Sequence, residues 1–138
     1  MYVLDTNVVS ALRVIGRNPR VEAWAARIPV SQLFLSAVTV FELERGIVRK
    51  QQTDPEAGRV LRSWFDDRVM PAFDGRVLPF DVAAARILAN YPVPQDAPLD
   101  DAIIAATAQS RGMTLATRNV RHVAPLGVRV VNPWHESA

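Results

Sequence analysis

Short apolar segments of three or four residues alternate with segments of helical pattern along this 138-residue chain. A parallel sheet needs a crossover helix between strands, so this alternation predicts an α/β fold with a parallel sheet and helices on its faces. The strands are predicted at Tyr2–Leu4, Leu33–Leu35, Val77–Phe80, Thr114–Ala116 and Val128–Val131. In such sheets, ligands bind at the carboxyl ends of the strands, and polar residues there are the first candidates for a site.

Helix boundaries are indicated by capping residues, prolines and glycines. Asn18 followed by Pro19 is typical of a helix start, and Gly112 is typical of a helix end. The segment PVPQDAP, residues 92–98, contains three prolines and predicts a loop. The predicted helices are Val8–Val14, Pro19–Arg27, Val38–Gln52, one from Pro55 to about Val69, Asp81–Asn90 and Pro98–Arg111.

Length and composition narrow the class of protein. The chain is long enough for one domain, residues 1–138, and its 49% hydrophobic and 22% charged residues are ordinary for a folded protein. The absence of cysteine excludes disulfides and thiolate metal sites. The sequence shows neither the pattern of a signal peptide nor an apolar run near the ~20 residues of a membrane span, so no membrane association is expected. A net charge of +2 permits a nucleic-acid partner without requiring one.

Two of the candidate acids follow the first two predicted strands. Asp5 comes directly after the first strand, where it is either a site residue or a helix cap, and Asn7 is an equally suitable cap that would release Asp5. Glu42 and Glu44 lie in the helix after the second strand, and both have apolar or small neighbours at helical spacing, so periodicity does not choose between them. Gly46 lies four residues after Glu42, on the same face of the predicted helix, and would let another backbone approach closely.

Further polar residues surround the last predicted long helix. Asp100 and Asp101 begin the segment DDAIIAATA, which is apolar on all sides and therefore predicted to be buried. The helix dipole accounts for one acid in the first turn, but two acids at a buried helix start are costly without a cation. Thr117, Arg118 and Asn119 then follow the next strand. An oxygen-rich site with no Cys and few His favours Mg²⁺ or Mn²⁺.

Four segments together resemble a known family. LDTNVVSAL, LSAVTVFELERG, LDDAIIAATA and LATRN occur in the order and spacing of the PIN-domain ribonucleases. The chain is most similar to the VapC-type toxins of bacterial type II toxin–antitoxin pairs, in the FitB-like branch that ends in an NPW motif, here NPWHE. This resemblance covers essentially the whole chain. It implies a three-layer α/β/α sandwich with a central, mostly parallel sheet, and a Mg²⁺- or Mn²⁺-dependent endoribonuclease.

The resemblance also implies which acids are catalytic and bind metal. Asp5, Glu42 and Asp101 match the family's first three acids. The fourth acidic position holds Asn119, a departure that lowers the charge of the site and weakens the case for a second metal ion. Asp96 and Asp100 are alternative sources of that charge.

Polar neighbours of the acids are expected to orient carboxylates, waters or phosphate oxygens. Asn7, Thr117 and Asn119 are assigned to this group, while Thr6 is assigned either to it or to packing. His122 falls where relatives often carry another acid, and it either assists the site or is simply structural or exposed.

The resemblance further implies the partners of the chain. These are RNA, a cognate VapB-type antitoxin whose C-terminal segment covers the acidic cleft, and a second copy in a homodimer or a larger toxin–antitoxin assembly, all in the bacterial cytoplasm. The mechanistic hypothesis is in-line hydrolysis of a phosphodiester, leaving a 5′-phosphate and a 3′-hydroxyl. The residues predicted either to line an RNA path or simply to form solvated helix faces are Arg13, Arg17, Arg45, Arg49 and Lys50.

Three alternatives stay open at this point. A PIN domain with Asn119 in the fourth position is either an active nuclease or a degenerate module that binds RNA or an antitoxin. An aspartyl-nucleophile phosphatase also has Asp after its first strand, but it needs a second Asp at the position of Asn7. If all the acids are caps, neutralising them destabilises the fold, whereas crowded site carboxylates repel one another and predict the opposite.

Overall fold

A single sheet runs through the computed structural model, which describes residues 1–92 and 98–136. Its strands are β1 (Tyr2–Leu4), β2 (Leu33–Ser36), β3 (Val77–Leu78), β4 (Thr114–Ala116) and β5 (Val130–Val131). The order across the sheet is β3-β2-β1-β4-β5, and all four pairings are parallel. Leu4 lies opposite both Leu35 and Ala116, so the carboxyl ends of β1, β2 and β4 meet at one edge of the sheet.

Helices connect these strands. They are α1 (Thr6–Ala11), α2 (Pro19–Ala26), α3 (Ala37–Thr53), α4 (Pro55–Trp64), α5 (Met70–Ala72), α6 (Val82–Asn90), α7 (Leu99–Ser110) and α8 (Val120–Val123). A π-helical turn over Phe65–Val69 joins α4 to α5, and single 3₁₀ turns occupy Val30–Gln32 and Ala124–Leu126.

Two apolar clusters pack on opposite faces of the sheet. Because side chains alternate along a strand, Leu4 contributes to one cluster and Val3 to the other. The Leu4 cluster is closed by α1, α2, α3 and the π-helical turn, and the Val3 cluster by α7 and α8. Helices therefore cover both faces, which confirms the predicted three-layer α/β/α fold. The predicted burial of the apolar helix is also confirmed, since Ile104 is 1% exposed.

Several predicted boundaries differ from the structure. The first helix is α1, Thr6–Ala11, rather than Val8–Val14, because Asp5 is the capping residue and Asn7 lies inside the helix. Of the two possible caps, Asp5 is therefore confirmed and the alternative, Asn7, is wrong. The helix that was predicted to continue to about Val69 changes to π geometry at Phe65, and Phe65 and Val69 are both buried.

The strands β3 and β5 are shorter than predicted, with two residues each. At Phe80 the chain has already left the sheet, and Asp81 caps α6 by accepting a hydrogen bond from the N–H of Ala84. The predicted loop PVPQDAP falls mainly on residues 93–97, outside the described residues, and Asp96 lies there too. No helix in the described ranges is both long and apolar enough to cross a membrane.

The close backbone approach predicted at Gly46 is wrong. A Cβ built on Gly46 has open space around it, with nothing within 4 Å. The close approach occurs instead between α3 and α4, where a Cβ on Gly58 would lie 2.5 Å from the Cα of Gln51. Only a residue without a side chain fits at this crossing of the two helices.

Candidate active site

Asp5 lies where β1 ends and α1 begins. Its backbone N–H donates to the carbonyl of Ala116 at 2.9 Å, which continues the pairing of β1 with β4 by one residue. Its Oδ1 accepts from the N–H of Thr6 at 2.7 Å. The residue is only 5% exposed. Capping and a buried site position are thus properties of the same carboxylate, and the two interpretations of Asp5 do not exclude each other.

The second oxygen of Asp5 is held by the segment after β4. The hydroxyl of Thr117, which is fully buried, donates to Asp5 Oδ2 at 2.6 Å, and Thr117 Oγ1 accepts from the N–H of Asn119 at 3.0 Å. Asn7 Nδ2 is also 3.4 Å from Asp5 Oδ2. A carboxylate has about four acceptor positions, so these bonds fix its orientation and leave capacity for a cation.

Glu42 faces Asp5 from α3. The hydroxyl of Thr6 donates to Glu42 Oε1 at 2.6 Å, so one residue at the start of α1 links the two acids. Glu44 points elsewhere, because its Oε1 is 2.8 Å from Arg62 Nη1 on α4. The contact with α4 therefore separates the two glutamates that periodicity left equivalent.

Thr39 is a residue of this site that was missed at the level of sequence. It is fully buried, and its Oγ1 is 3.2 Å from Thr6 Oγ1. The chain of hydroxyls from Thr39 to Thr6 ends on Glu42 and fixes that carboxylate from inside the protein. The available signal was the position of Thr39 three residues before Glu42, on the same helix face.

The start of α7 brings Asp100 and Asp101 to the same edge of the sheet. Both residues are partly buried, and His122 Nδ1 on α8 is 3.3 Å from Asp101 Oδ2. Asn119 precedes α8 without capping it through its side chain.

Burial and neighbouring negative charges raise the pKa of both Asp5 and Glu42. Burial raises the pKa of Asp5, and the charge of Asp101 raises it further, while hydrogen bonds from Thr117 and Thr6 oppose the shift. Burial likewise raises the pKa of Glu42, with smaller increases from Asp100, Asp5 and Asp101 and an opposing hydrogen bond from Thr6. The acids contributed by β1, α3 and α7 are therefore close enough to repel.

This donor set fits a hard divalent cation. It consists of carboxylate oxygens with hydroxyl and amide oxygens beside them, which are the ligands that Mg²⁺ and Mn²⁺ prefer. Within residues 1–92 and 98–136, no group of three or more His, Asp or Glu side chains is arranged to hold a metal ion. Mg²⁺ does not need one, because it keeps several waters and binds through one or two carboxylates. The candidates to supply those one or two carboxylates are Asp5, Glu42, Asp100 and Asp101.

The basic residues predicted to line an RNA path are distributed unevenly around the site. Arg13 and Lys50 border a cavity of about 280 Å³ that also contacts Thr6 and Glu42. Arg45 lies over the ring of Phe41, 5.9 Å from its centroid. Arg17 and Arg49 are exposed. Their role toward RNA stays a prediction.

The metal-free protein is expected to lose stability as pH rises from about 4, relative to a double variant carrying Asp5→Asn and Glu42→Gln. In the unfolded chain these acids ionise near their ordinary pKa values of 3.8 and 4.5, whereas in the folded protein both pKa values are raised. The folded state therefore binds the extra protons, and stability falls until the pH has passed the folded pKa values. Urea unfolding in EDTA at several pH values measures the difference. A difference that is constant with pH would contradict the expectation.

Comparison with known proteins identifies the family of this chain. Residues 2–124 match the family model of the PIN domain. The chain is 36% identical to Toxin FitB of Neisseria gonorrhoeae over 141 residues, covering 99% of this chain and 100% of FitB. It is 56% identical to Ribonuclease VapC14 of Mycobacterium tuberculosis over 72 residues, 52% of this chain and 70% of that protein. A solved structure of FitAB bound to an IR36 DNA fragment is similar with a TM-score of 0.90 at 34% identity, covering 100% of this chain and 99% of the other.

Proposed function

This chain belongs to the PIN-domain family, in the FitB-like branch of the VapC-type toxins, and from this membership we propose that it is the ribonuclease toxin of a toxin–antitoxin pair. The proposed reaction is hydrolysis of RNA phosphodiester bonds with Mg²⁺ or Mn²⁺ at the acidic site. One observation carries the proposal: carboxylates at the end of β1, on α3 and at the start of α7 lie at the carboxyl edge of the sheet, where Thr6 hydrogen-bonds both Asp5 and Glu42 and neighbouring acids raise the pKa of these two residues. The 56% sequence identity to Ribonuclease VapC14 over 72 residues supports RNA as the substrate.

Asp5, Glu42 and Asp101 are the proposed metal-binding and catalytic residues. Asp5 is immobilised by Thr117 and by its own helix start, and Glu42 is immobilised by Thr6. When bound, the divalent ion supplies positive charge against the phosphate and lowers the pKa of a bound water.

Hydrolysis by this site is proposed to proceed in line. The oxygen of water forms the new bond to phosphorus and gives up one proton, while the bond from phosphorus to the 3′-oxygen breaks and that oxygen takes up one proton. The products are a 5′-phosphate and a 3′-hydroxyl. Asn7 and Thr117 hold the Asp5 carboxylate in a fixed direction during this exchange, so the chain does not reorganise as charge moves onto the leaving oxygen.

The replacement of the fourth acid by Asn119 is compensated by Asp100 in this proposal. Among the acidic neighbours that raise the pKa of Glu42, Asp100 has a larger effect than Asp5 or Asp101. A fourth carboxylate therefore remains at the site, supplied by α7. This favours an active nuclease over a degenerate module that only binds RNA or an antitoxin.

A protein partner is part of the same proposal. The similar FitAB structure contains two named components on DNA, and this chain resembles its FitB component. We propose a VapB-type antitoxin as the partner, acting on the toxin in the cytoplasm. The homodimer implied by the resemblance stays a prediction.

Cleavage of RNA by the purified protein is expected with Mg²⁺ or Mn²⁺ and not with EDTA, because the carboxylates repel phosphate when no cation lies between them. The assay uses pooled structured RNAs, and labelling of the product ends tests for the 3′-hydroxyl. Restoration of cleavage by re-adding metal to the EDTA sample shows that the protein remained folded. Equal cleavage in EDTA would contradict metal dependence, and RNA binding without cleavage in either metal would leave only the binding module.

A further inference from the structure

Arg118 is a cation at the edge of the acidic site with an unusual partner. It follows Thr117, whose hydroxyl holds Asp5, and its own backbone N–H lies 3.4 Å from Asn7 Oδ1. Its guanidinium lies over Trp134, with the central carbon 5.0 Å from the ring centroid. The side chain is exposed on its outer side. The backbone of Arg118 is therefore fixed to the site, and its side chain is supported by an aromatic face.

Trp134, the last residue of the NPW motif, is itself anchored. Its indole Nε1 donates to Asn18 Oδ1 at 3.4 Å, and its backbone N–H donates to Asn132 Oδ1 at 3.0 Å. Its carbonyl accepts from Arg20 Nη1 at 3.3 Å. The Asn18 side chain, predicted to cap α2, makes this bond and another to the Ala11 carbonyl rather than a capping bond. The ring is thus a fixed support and not a loose C-terminal side chain.

Arg118 keeps its charge available. The ion pairs found in the described parts of the chain use Arg59, Arg62, Arg111 and His122, and none of them includes Arg118. Stacking on a ring restrains a guanidinium while its N–H groups stay in the plane, where they can bind a phosphate through two hydrogen bonds. A carboxylate partner would neutralise the group, and an aromatic partner does not.

Resting on the proposed function, we propose that Arg118 binds a phosphate of the RNA strand next to the one that is cleaved, and that Trp134 positions it for this contact. Four carboxylates at the site repel the strand, so it needs cations on the protein beside the metal. Arg118 supplies one at the carboxyl end of β4, directly beside the residues that orient Asp5.

The test measures binding of a fluorescent single-stranded RNA in EDTA over a range of salt concentrations. A phosphate contact releases bound counterions, so its loss lowers the slope of log affinity against log salt by about 0.7. For Arg118→Ala we expect this slope to be lower by that amount. We also expect the variant to bind RNA about tenfold more weakly at low salt. Trp134→Leu is expected to weaken binding by a smaller factor and to keep the slope, since the charge remains.

Arg27→Ala is the matched control. Arg27 is exposed at the end of α2, which leads to the amino end of β2 and so to the opposite edge of the sheet. This variant removes one positive charge and is expected to keep the wild-type slope and affinity. Thermal unfolding of each variant shows whether the Arg118–Trp134 contact only holds the C-terminal segment in place.

The outcomes separate this inference from the proposed function. If Arg118→Ala lowers only the melting temperature and keeps the wild-type salt slope, the inference is overturned while the nuclease proposal stands. If the slope falls as expected in a protein that cuts no RNA with either metal, the contact stands and the nuclease proposal fails. If the wild-type protein binds no RNA in EDTA at any salt concentration, the inference is overturned, and the nuclease proposal is decided by the cleavage assay with metal.

Discussion

The Asp5→Asn variant is expected to cut RNA on the order of a thousandfold more slowly than the wild type, because a bound metal supplies several kcal/mol of charge stabilisation in the transition state. The metal-free variant is expected to be as stable as the wild type or more stable. Asn retains an oxygen to accept the N–H of Thr6, and the buried charge that Asp101 repels is removed. Single-turnover cleavage in Mg²⁺ and urea unfolding in EDTA measure the two effects.

Asp54→Asn is the matched control, since Asp54 is also an N-capping aspartate. Its side chain accepts from the N–H of Ala57 at 3.2 Å at the start of α4. It lies 12 residues beyond Glu42 at the far end of α3, which at 1.5 Å per residue is a distance of roughly 18 Å. Cleavage by this variant is expected at the wild-type rate. If both variants lose stability equally and cleave RNA at the wild-type rate, Asp5 acts only as a helix cap and the prediction is contradicted.

The Gly58→Ala variant is expected to lose about 2 kcal/mol of the free energy of unfolding, in the range of overpacked sites. The added Cβ would lie 2.5 Å from the Cα of Gln51 and 2.6 Å from its backbone nitrogen. Backbone atoms cannot rotate away as a side chain can, so α3 and α4 must separate. This cost exceeds the gain of up to about 1 kcal/mol from replacing glycine within a helix. Urea unfolding with EDTA present measures the change.

Gly46→Ala tests the same substitution one helix away. Nothing lies within 4 Å of a Cβ at Gly46 in α3, so the helix-propensity gain is not opposed by a collision. This variant is expected to be more stable than the wild type by up to about 1 kcal/mol. A loss of stability at Gly46, or a gain at Gly58, would show that the two helices do not pack as described.

The layered fold was predictable because its determinants are local. The short apolar run Tyr2–Leu4 followed at once by Asp5, and the apolar helix after Asp101, each specify an element and its burial from neighbouring residues alone. The resemblance to the PIN family then predicts that Asp5, Glu42 and Asp101 form one site, and this assignment stays a prediction.

The remaining features depend on contacts between residues distant in sequence. Glu44 turns away from the site because Arg62 on α4 attracts it, and no spacing within α3 contains this information. Thr39 joins the site through a hydroxyl on α1, and Gly58 is required by the backbone of Gln51. Such pairs become visible only when the packing of whole helices is known.

The arrangement of Asp5 between β1 and β4 has a consequence for synthesis of the chain on the ribosome. Asp5 emerges among the first residues, but the hydroxyl that holds it belongs to Thr117, 112 residues later. The edge of β1 that orients Asp5 is likewise paired only after β4 exists. A nascent chain that has not yet reached β4 therefore carries Asp5 and Glu42 without the contacts that orient Asp5.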